Sequence, residues 1–289
     1  MSGKKEIDEV TGVETTGHEW DGLKELNKPL PQWWLWTFYA CIVWGVAYMI
    51  AYPAFPTLAS YTKGMLGYSQ RQTVADEVKA AKQAQSGQRD LLSKTALGDV
   101  KKNPELLRFA MAGGGAQFAT SCAPCHGRGA QGATGYPNLN DDEWIWGGSI
   151  QEIAETIEGG IRSGHKKARD SQMPKFGLDK LLDDKQINDA AEFVLSLSGK
   201  ATDQAAAGRG KALFAEQCAS CHGNDGKGMK EQGAPSLTDG IWLYGGAKAD
   251  VVDSIRTGRG GIMPSWGDKL DALAVKSLAV YVHSLGGGK

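Results

Sequence analysis

Two pentapeptides, Cys122-Ala-Pro-Cys125-His126 and Cys218-Ala-Ser-Cys221-His222, hold four of the five cysteines and two of the five histidines in the chain. Two thiols one helical turn apart can bond two vinyl groups on one porphyrin edge as thioethers, while the adjacent imidazole meets the iron. Each pentapeptide is therefore a c-type haem attachment motif. A zinc knuckle or a redox dithiol does not need histidine directly after each cysteine pair. The residues predict two covalently bound haem c groups, with Cys122, Cys125, Cys218 and Cys221 as thioether donors and His126 and His222 as axial iron ligands.

An iron that carries electrons needs a second axial ligand, and methionine is the usual partner of histidine in cytochromes c. Met173-Pro174 lies 47 residues after His126, and Met263-Pro264 lies 41 after His222, each in a glycine-containing loop before a final apolar run. Met173 and Met263 are the expected ligands. His165 shares the loop of Met173 and is its runner-up, which would give a bis-histidine haem of lower potential. Met229 follows His222 by seven residues in a glycine loop and reads as surface. His18 and His283 read as solvated or packed side chains.

The elements that must position these groups occur twice. Cys122 pairs with Cys218 at an offset of 96, and Pro137, Trp144, Gly147 and Ile157 pair with Pro235, Trp242, Gly245 and Ile255 at 98. Met173 pairs with Met263 at 90. Constant order with drifting offsets marks a duplicated fold whose loops differ in length. Residues 109–200 and 205–289 are the two expected domains, joined by a short linker, Lys200 to Ala207. Each is small enough that a large prosthetic group must help fill its core.

Composition sets the rest. With 289 residues the chain has room for about two domains. Lys and Arg total 32 against 33 Asp and Glu, which lacks the basic excess of a nucleic-acid binder. A mean hydropathy of -0.34 conceals a stretch from Pro29 to Thr62 with no charged residue. Its centre, Trp33 to Tyr52, would span ~30 Å as a helix, the thickness of a bilayer core, and Pro53 and Pro56 end it. Aromatic residues gather near both ends, as at headgroup boundaries. The mixed-charge segment before it is unlike the short basic start of a signal peptide, so an uncleaved anchor is expected. The expected order is a tail over 1–28, an anchor over 29–56, a polar helical tether over 57–108, and the two haem domains. Cys41 and Gly45, four apart on the anchor, could mark a helix contact or simply face lipid.

The layout resembles class I cytochrome c across both repeats, which implies an all-α fold with one transmembrane helix and two tandem domains. In that family a glycine and an aromatic of the first helix cross an aromatic of the last. The resemblance pairs Gly114 and Phe118 with Phe193, and Gly210 and Phe214 with Tyr281. It also implies that the carbonyls of Pro137 and Pro235 accept the bond from the proximal imidazoles.

The run from Thr16-Gly17-His18-Glu19-Trp20-Asp21-Gly22 through Asn27-Lys28-Pro29-Leu30-Pro31-Gln32-Trp33-Trp34, with Tyr52-Pro53-Ala54-Phe55-Pro56, resembles the N-terminal region of the CcoP/FixP family. That family is the dihaem subunit III of cbb3-type cytochrome c oxidase. The resemblance implies an electron-transfer subunit that does not itself reduce oxygen. Electrons would come from a cytochrome c and pass to a monohaem subunit and a haem-copper catalytic subunit. It further implies a single pass through the bacterial inner membrane, with residues 1–28 cytoplasmic and the haem domains periplasmic. The haem motifs alone would also suit the dihaem subunit of a membrane dehydrogenase, or a dihaem peroxidase.

Overall fold

The computed structural model describes residues 6–286. Lys4 and Lys5 of the expected tail, and the last three residues of the expected second haem domain, lie outside that range. The chain divides after Gln83 into two compact units.

The first unit contains the one helix among the described residues that is long and apolar enough to cross a membrane, α1 (Gln32–Ala51), with a solvent-exposed surface along its whole length. Pro31 precedes it and extended Tyr52 stops it. Residues 1–28 read as a tail, but the structure folds part of them into an antiparallel hairpin of β1 (Thr15–Trp20) and β2 (Leu23–Leu26). Asp21 and Gly22 form its two-residue turn with φ of 47° and 86°. Positive φ at both positions is the primed turn whose twist suits a hairpin, and Asp-Gly is its usual sequence. Helix α2 (Gln70–Ala84) follows.

In the second unit the expected tether is shorter than 57–108. Helix α3 (Ser86–Lys94) and the 3-10 turn Leu97–Lys102 belong to the globular unit, with Leu92 and Val100 fully buried in its core. The Lys276 ammonium holds the junction between the two by donating to the carbonyls of Leu92, at 2.7 Å, and Thr95. Two apolar side chains in a polar stretch were enough to dock it, although its average composition resembles a solvated helix.

Helices α4 (Pro104–Ser121) and α5 (Ala123–His126) flank Cys122, α6 (Ile150–Gly159) follows, and α7 (Asp184–Leu197) closes the first repeat. The second repeat gives α8 (Gln204–Gln217), α9 (Ala219–His222), α10 (Lys248–Thr257) and α11 (Ala272–His283). Local chemistry starts several of them. Pro104 sits in the first turn of α4 behind the Asn103 cap, Ser149 and Asp183 form capping boxes with Glu152 and Gln186, and Asp203 and Asp271 cap α8 and α11.

The helix pairing differs from the one the family resemblance implied. α4 packs on α11, and α7 packs on α8. Phe118 meets Tyr281 with ring centroids 5.4 Å apart, and Phe193 meets Phe214 at 5.0 Å. A Cβ on Gly114 would collide with the Ser277 carbonyl, and one on Gly210 with that of Asp189. The glycine-and-aromatic crossing is thus present twice, with its partners exchanged between repeats. Connectivity supplies the reason: six residues separate α7 from α8, and elements joined so briefly pack on each other. Charge reinforces it. Buried Asp189 on α7 accepts from Arg209 on α8 at 2.6 and 2.8 Å. At the matching place, α11 offers Ser277 and α4 offers Gly113.

The two cores are accordingly composite. One joins Leu106, Phe118 and Ile157 to Leu278, Val280 and Val282. The other joins Phe176, Ile187 and Val194 to Phe214, Val251 and Ile255. The segments 109–200 and 205–289 are units of sequence that each contribute to both cores.

Candidate haem centres

Each attachment motif follows the same local course. Cys122 and Cys218 end the long helices α4 and α8, and the next four residues make a single helical turn ending in His126 or His222. This places the two sulfurs of each motif one turn apart. Gly127 and Gly223 then leave the turn with φ of 80° and 77°, a backbone course that a side chain would strain.

The imidazoles are oriented alike. His126 Nδ1 lies 2.9 Å from the Pro137 carbonyl oxygen and His222 Nδ1 lies 3.0 Å from that of Pro235. Carbonyls only accept, so Nδ1 is the donor on both rings, and in a neutral imidazole this leaves the lone pair at Nε2. That is the state a metal-binding imidazole needs. Burial lowers the pKa of His222, with the Pro235 bond opposing it. Burial, with a lesser contribution from the neighbouring sulfur, pushes the thiols of Cys122 and Cys218 up to about 11. Such thiols lack the depressed pKa of a redox dithiol.

The methionine loops are exchanged together with the helices. Ile161 and Met263 form an antiparallel bridge, and Trp266 N–H donates to the Ile157 carbonyl at 3.1 Å. Met263 thus packs into the core that contains Cys122. Reciprocally, Met173 N–H donates to the Arg259 carbonyl at 3.3 Å, Gly177 N–H donates to that of Arg256 at 3.1 Å, and Met173 packs into the core that contains Cys218. Glycine permits both crossings: a Cβ on Gly160 would collide with the Met263 carbonyl, and one on Gly258 would crowd that of Met173.

His165 lies elsewhere. Its Nδ1 accepts from the Lys167 N–H at 3.1 Å, its Nε2 faces an Asp268 carboxylate oxygen at 3.7 Å, and it lines an open cleft with Arg162, Lys166 and Ile262. Both ring nitrogens are turned to other groups. Met229 is 37% exposed, in keeping with a surface role, whereas His283 is buried on α11 with Lys101 Nζ 2.6 Å from its Nδ1.

The cores also fit a large acceptor-bearing group. Trp144 and Trp242, equivalent in the two repeats, each bury an indole N–H that has no partner within the protein. An unsatisfied buried donor is costly. Two at matching positions suit a cofactor bearing carboxylates, such as the propionates of a porphyrin. The Gly147-Gly148 and Gly245-Gly246 pairs let the chain turn tightly against these indoles, since a Cβ on Gly148 or Gly246 would strike the ring. The sequence marked both tryptophans as repeat landmarks but gave no sign of the unpaired N–H.

Comparison with known proteins agrees with this double site. Residues 12–59 match the family model described as the N-terminal domain of cytochrome oxidase-cbb3, FixP, residues 111–198 match cytochrome c, and residues 205–282 match cytochrome c oxidase, cbb3-type, subunit III. The chain is 50% identical over 284 residues to the cbb3-type cytochrome c oxidase subunit FixP of Azorhizobium caulinodans, covering 98% of this chain and 96% of the relative. It is 50% identical to FixP of a Bradyrhizobium strain over the full length of both, and 51% identical to the CcoP subunit of Azospirillum brasilense over 99% of each. The chain belongs to the CcoP/FixP family.

Membership accounts for the architecture described above, one N-terminal apolar helix followed by tandem cytochrome c segments. A CcoP/FixP chain is a cytochrome component of cbb3 oxidase, and its cytochrome c segments imply covalent haem c. The match over 12–59 spans the residues of the hairpin as well as those of the apolar helix.

Proposed function

We propose that this chain is the electron-transfer subunit of a cbb3-type terminal oxidase. It accepts electrons from a cytochrome c and passes them, through two covalent c haems, to a monohaem subunit and on to a haem-copper subunit where oxygen is reduced. The observation that carries the reading is the doubled set of cysteine pair, proton-fixed histidine, unpaired indole and core-packed methionine. When bound, each haem supplies a one-electron couple; everything else is the work of the chain's own residues.

Cys122, Cys125, Cys218 and Cys221 would tether the two porphyrins, and His126 and His222, oriented by the carbonyls of Pro137 and Pro235, would offer Nε2 to the iron. The packing supports a crossed assignment of the methionines, in which Met263 would serve the site of His126 and Met173 that of His222. Methionine at both sites favours electron transfer over peroxide chemistry, which needs an open or displaceable position. Haem attachment takes place outside the cytoplasm, so the haem segments lie in the periplasm and residues 1–28 on the cytoplasmic side of the bacterial inner membrane. α1 provides the single pass, and 57–83 leads from it towards the haem unit.

Isolation of the intact oxidase tests this directly. A reduced-minus-oxidised spectrum is expected to show two low-spin c haems per chain, with a haem-copper subunit co-purifying. Fewer than two such haems, or co-purification with a flavin or quinone dehydrogenase instead, overturns the proposal.

A further inference from the structure

The hairpin β1–β2 is unexplained by electron transfer. Its two-residue turn brings Trp20 and Leu23 directly opposite each other, and they are 67% and 77% exposed. A cross-strand aromatic and aliphatic pair is normally the part of a hairpin that is covered, and two strands alone are marginal in water. Beside the tip Lys24 pairs with Glu6 at 2.6 Å, and at the far end of β1 buried Thr15 accepts from the Glu6 N–H at 3.2 Å; neither contact covers Trp20 or Leu23.

Charge indicates what could cover the tip. Residues 1–28 hold seven acids against four lysines, and Glu19, Asp21 and Glu25 flank Trp20 and Leu23. An anionic leaflet repels such a surface. Cytoplasmic loops of membrane proteins carry an excess of Lys and Arg, so the acidic rim is complementary to what a polytopic neighbour presents at the same level. Five residues separate Leu26 from the start of α1, which confines the hairpin to within ~20 Å of the membrane end of that helix.

We propose that the Trp20–Leu23 tip, with its acidic rim, docks on a Lys/Arg-rich cytoplasmic loop of a membrane-embedded partner subunit of the oxidase. The proposal rests on the cytoplasmic placement of residues 1–28 given above. The hairpin acts as a clasp for assembly, separate from the path of electrons.

The test uses the whole oxidase in its native membrane. A photo-crosslinking phenylalanine in place of Leu23 is expected to join this chain to a cytoplasmic loop of another oxidase subunit. Cross-links to lipid alone, or none, overturn the docking. Independently, Glu19→Lys with Asp21→Asn, which keeps the turn, is expected to lower the fraction of this chain retained on the complex at low ionic strength about tenfold, with haem per chain unchanged. Unchanged retention overturns it as well. Placement is checked separately, with Thr11→Cys in a Cys41→Ser background. Labelling by an impermeant thiol reagent in intact spheroplasts overturns the cytoplasmic placement; protection without a cross-link overturns only the docking.

Discussion

Ile161 and Met263 exchange both of their backbone hydrogen bonds, at 2.9 and 3.0 Å, although 102 positions separate them in the chain. This bridge seats the second methionine loop in the first core, and the contact of Met173 with Arg259 does the converse. The methionine that follows an attachment motif in sequence is therefore packed beside the other motif.

Crossed ligation makes a specific prediction for redox titration. In a chain carrying Cys218→Ser and Cys221→Ser, only the haem at Cys122 and Cys125 remains. Met263→His is expected to lower its midpoint potential by on the order of 0.1 V, within the span of ~0.8 V that axial ligands command. Met173→His should leave it unmoved. The opposite pattern restores the ligand order of the sequence. If neither change moves the near-infrared methionine band, crossed methionine ligation is wrong, and His165 must be tested at this haem.

The Asp189–Arg209 pair should matter more than a surface ion pair. Arg209→Met leaves the buried Asp189 carboxylate with only exposed Lys185, 3.6 Å away, as a cation, and the unfolding free energy is expected to drop. Asp189→Ser with Arg209→Ala copies the Ser277 side of the other crossing, where a Cβ on Gly113 would lie 3.7 Å from the Ser277 hydroxyl. Urea titration of the double variant should recover most of the loss. A double variant as weak as the single one would remove the pair from any account of helix choice.

Glu192 is fully buried on α7. Burial pushes its carboxyl up, but Lys248 at 2.8 Å, the Thr202 hydroxyl and the N–H groups of Thr202 and Asp203 outweigh this and hold it at about 2. Because the folded pKa lies below that of the unfolded chain, the stabilisation is complete above about pH 4.5 and disappears as the pH falls towards 2. Glu192→Gln should cost ~2 kcal/mol at pH 7 and flatten the acid limb of unfolding monitored by circular dichroism. An acid limb as steep as that of the parent chain would show that other carboxylates govern it.

Gly114→Ala and Gly210→Ala each place a methyl where the facing helix's backbone already lies. Each is expected to cost ~2–3 kcal/mol in overpacking. Calorimetry of the two variants should show a lowered Tm for both, with Gly114→Ala acting on the core around Phe118 and Tyr281.

Much of this site could be read from sequence, because covalent chemistry leaves fixed spacings. The two Cys-x-x-Cys-His motifs, Pro137, Pro235 and the Met-Pro pairs needed no coordinates to be noticed. Helix pairing was not legible in the same way. α4 and α8 carry the same glycine and phenylalanine spacing, and Phe193 and Tyr281 are equally suited to either, so the pattern is satisfied by both arrangements. What separates them is the six-residue link and the Asp189–Arg209 pair, whose meaning depends on distance. The hairpin had a signal in Asp21-Gly22, but the acidic composition around it suggested a tail. Leu92 and Val100 were masked by the polar average of their segment.

The crossing also gives the chain an order of completion. Residues from Met173 to Arg259 supply one core with α7, α8, α10 and a methionine in a single continuous stretch, which can close as soon as it has been synthesised. The core around His126 has to wait for Met263 and α11, which come later in the chain. The core beside the first attachment motif is thus completed after the other, and a chain cut short before Met263 retains its first motif cysteines without the packing around them.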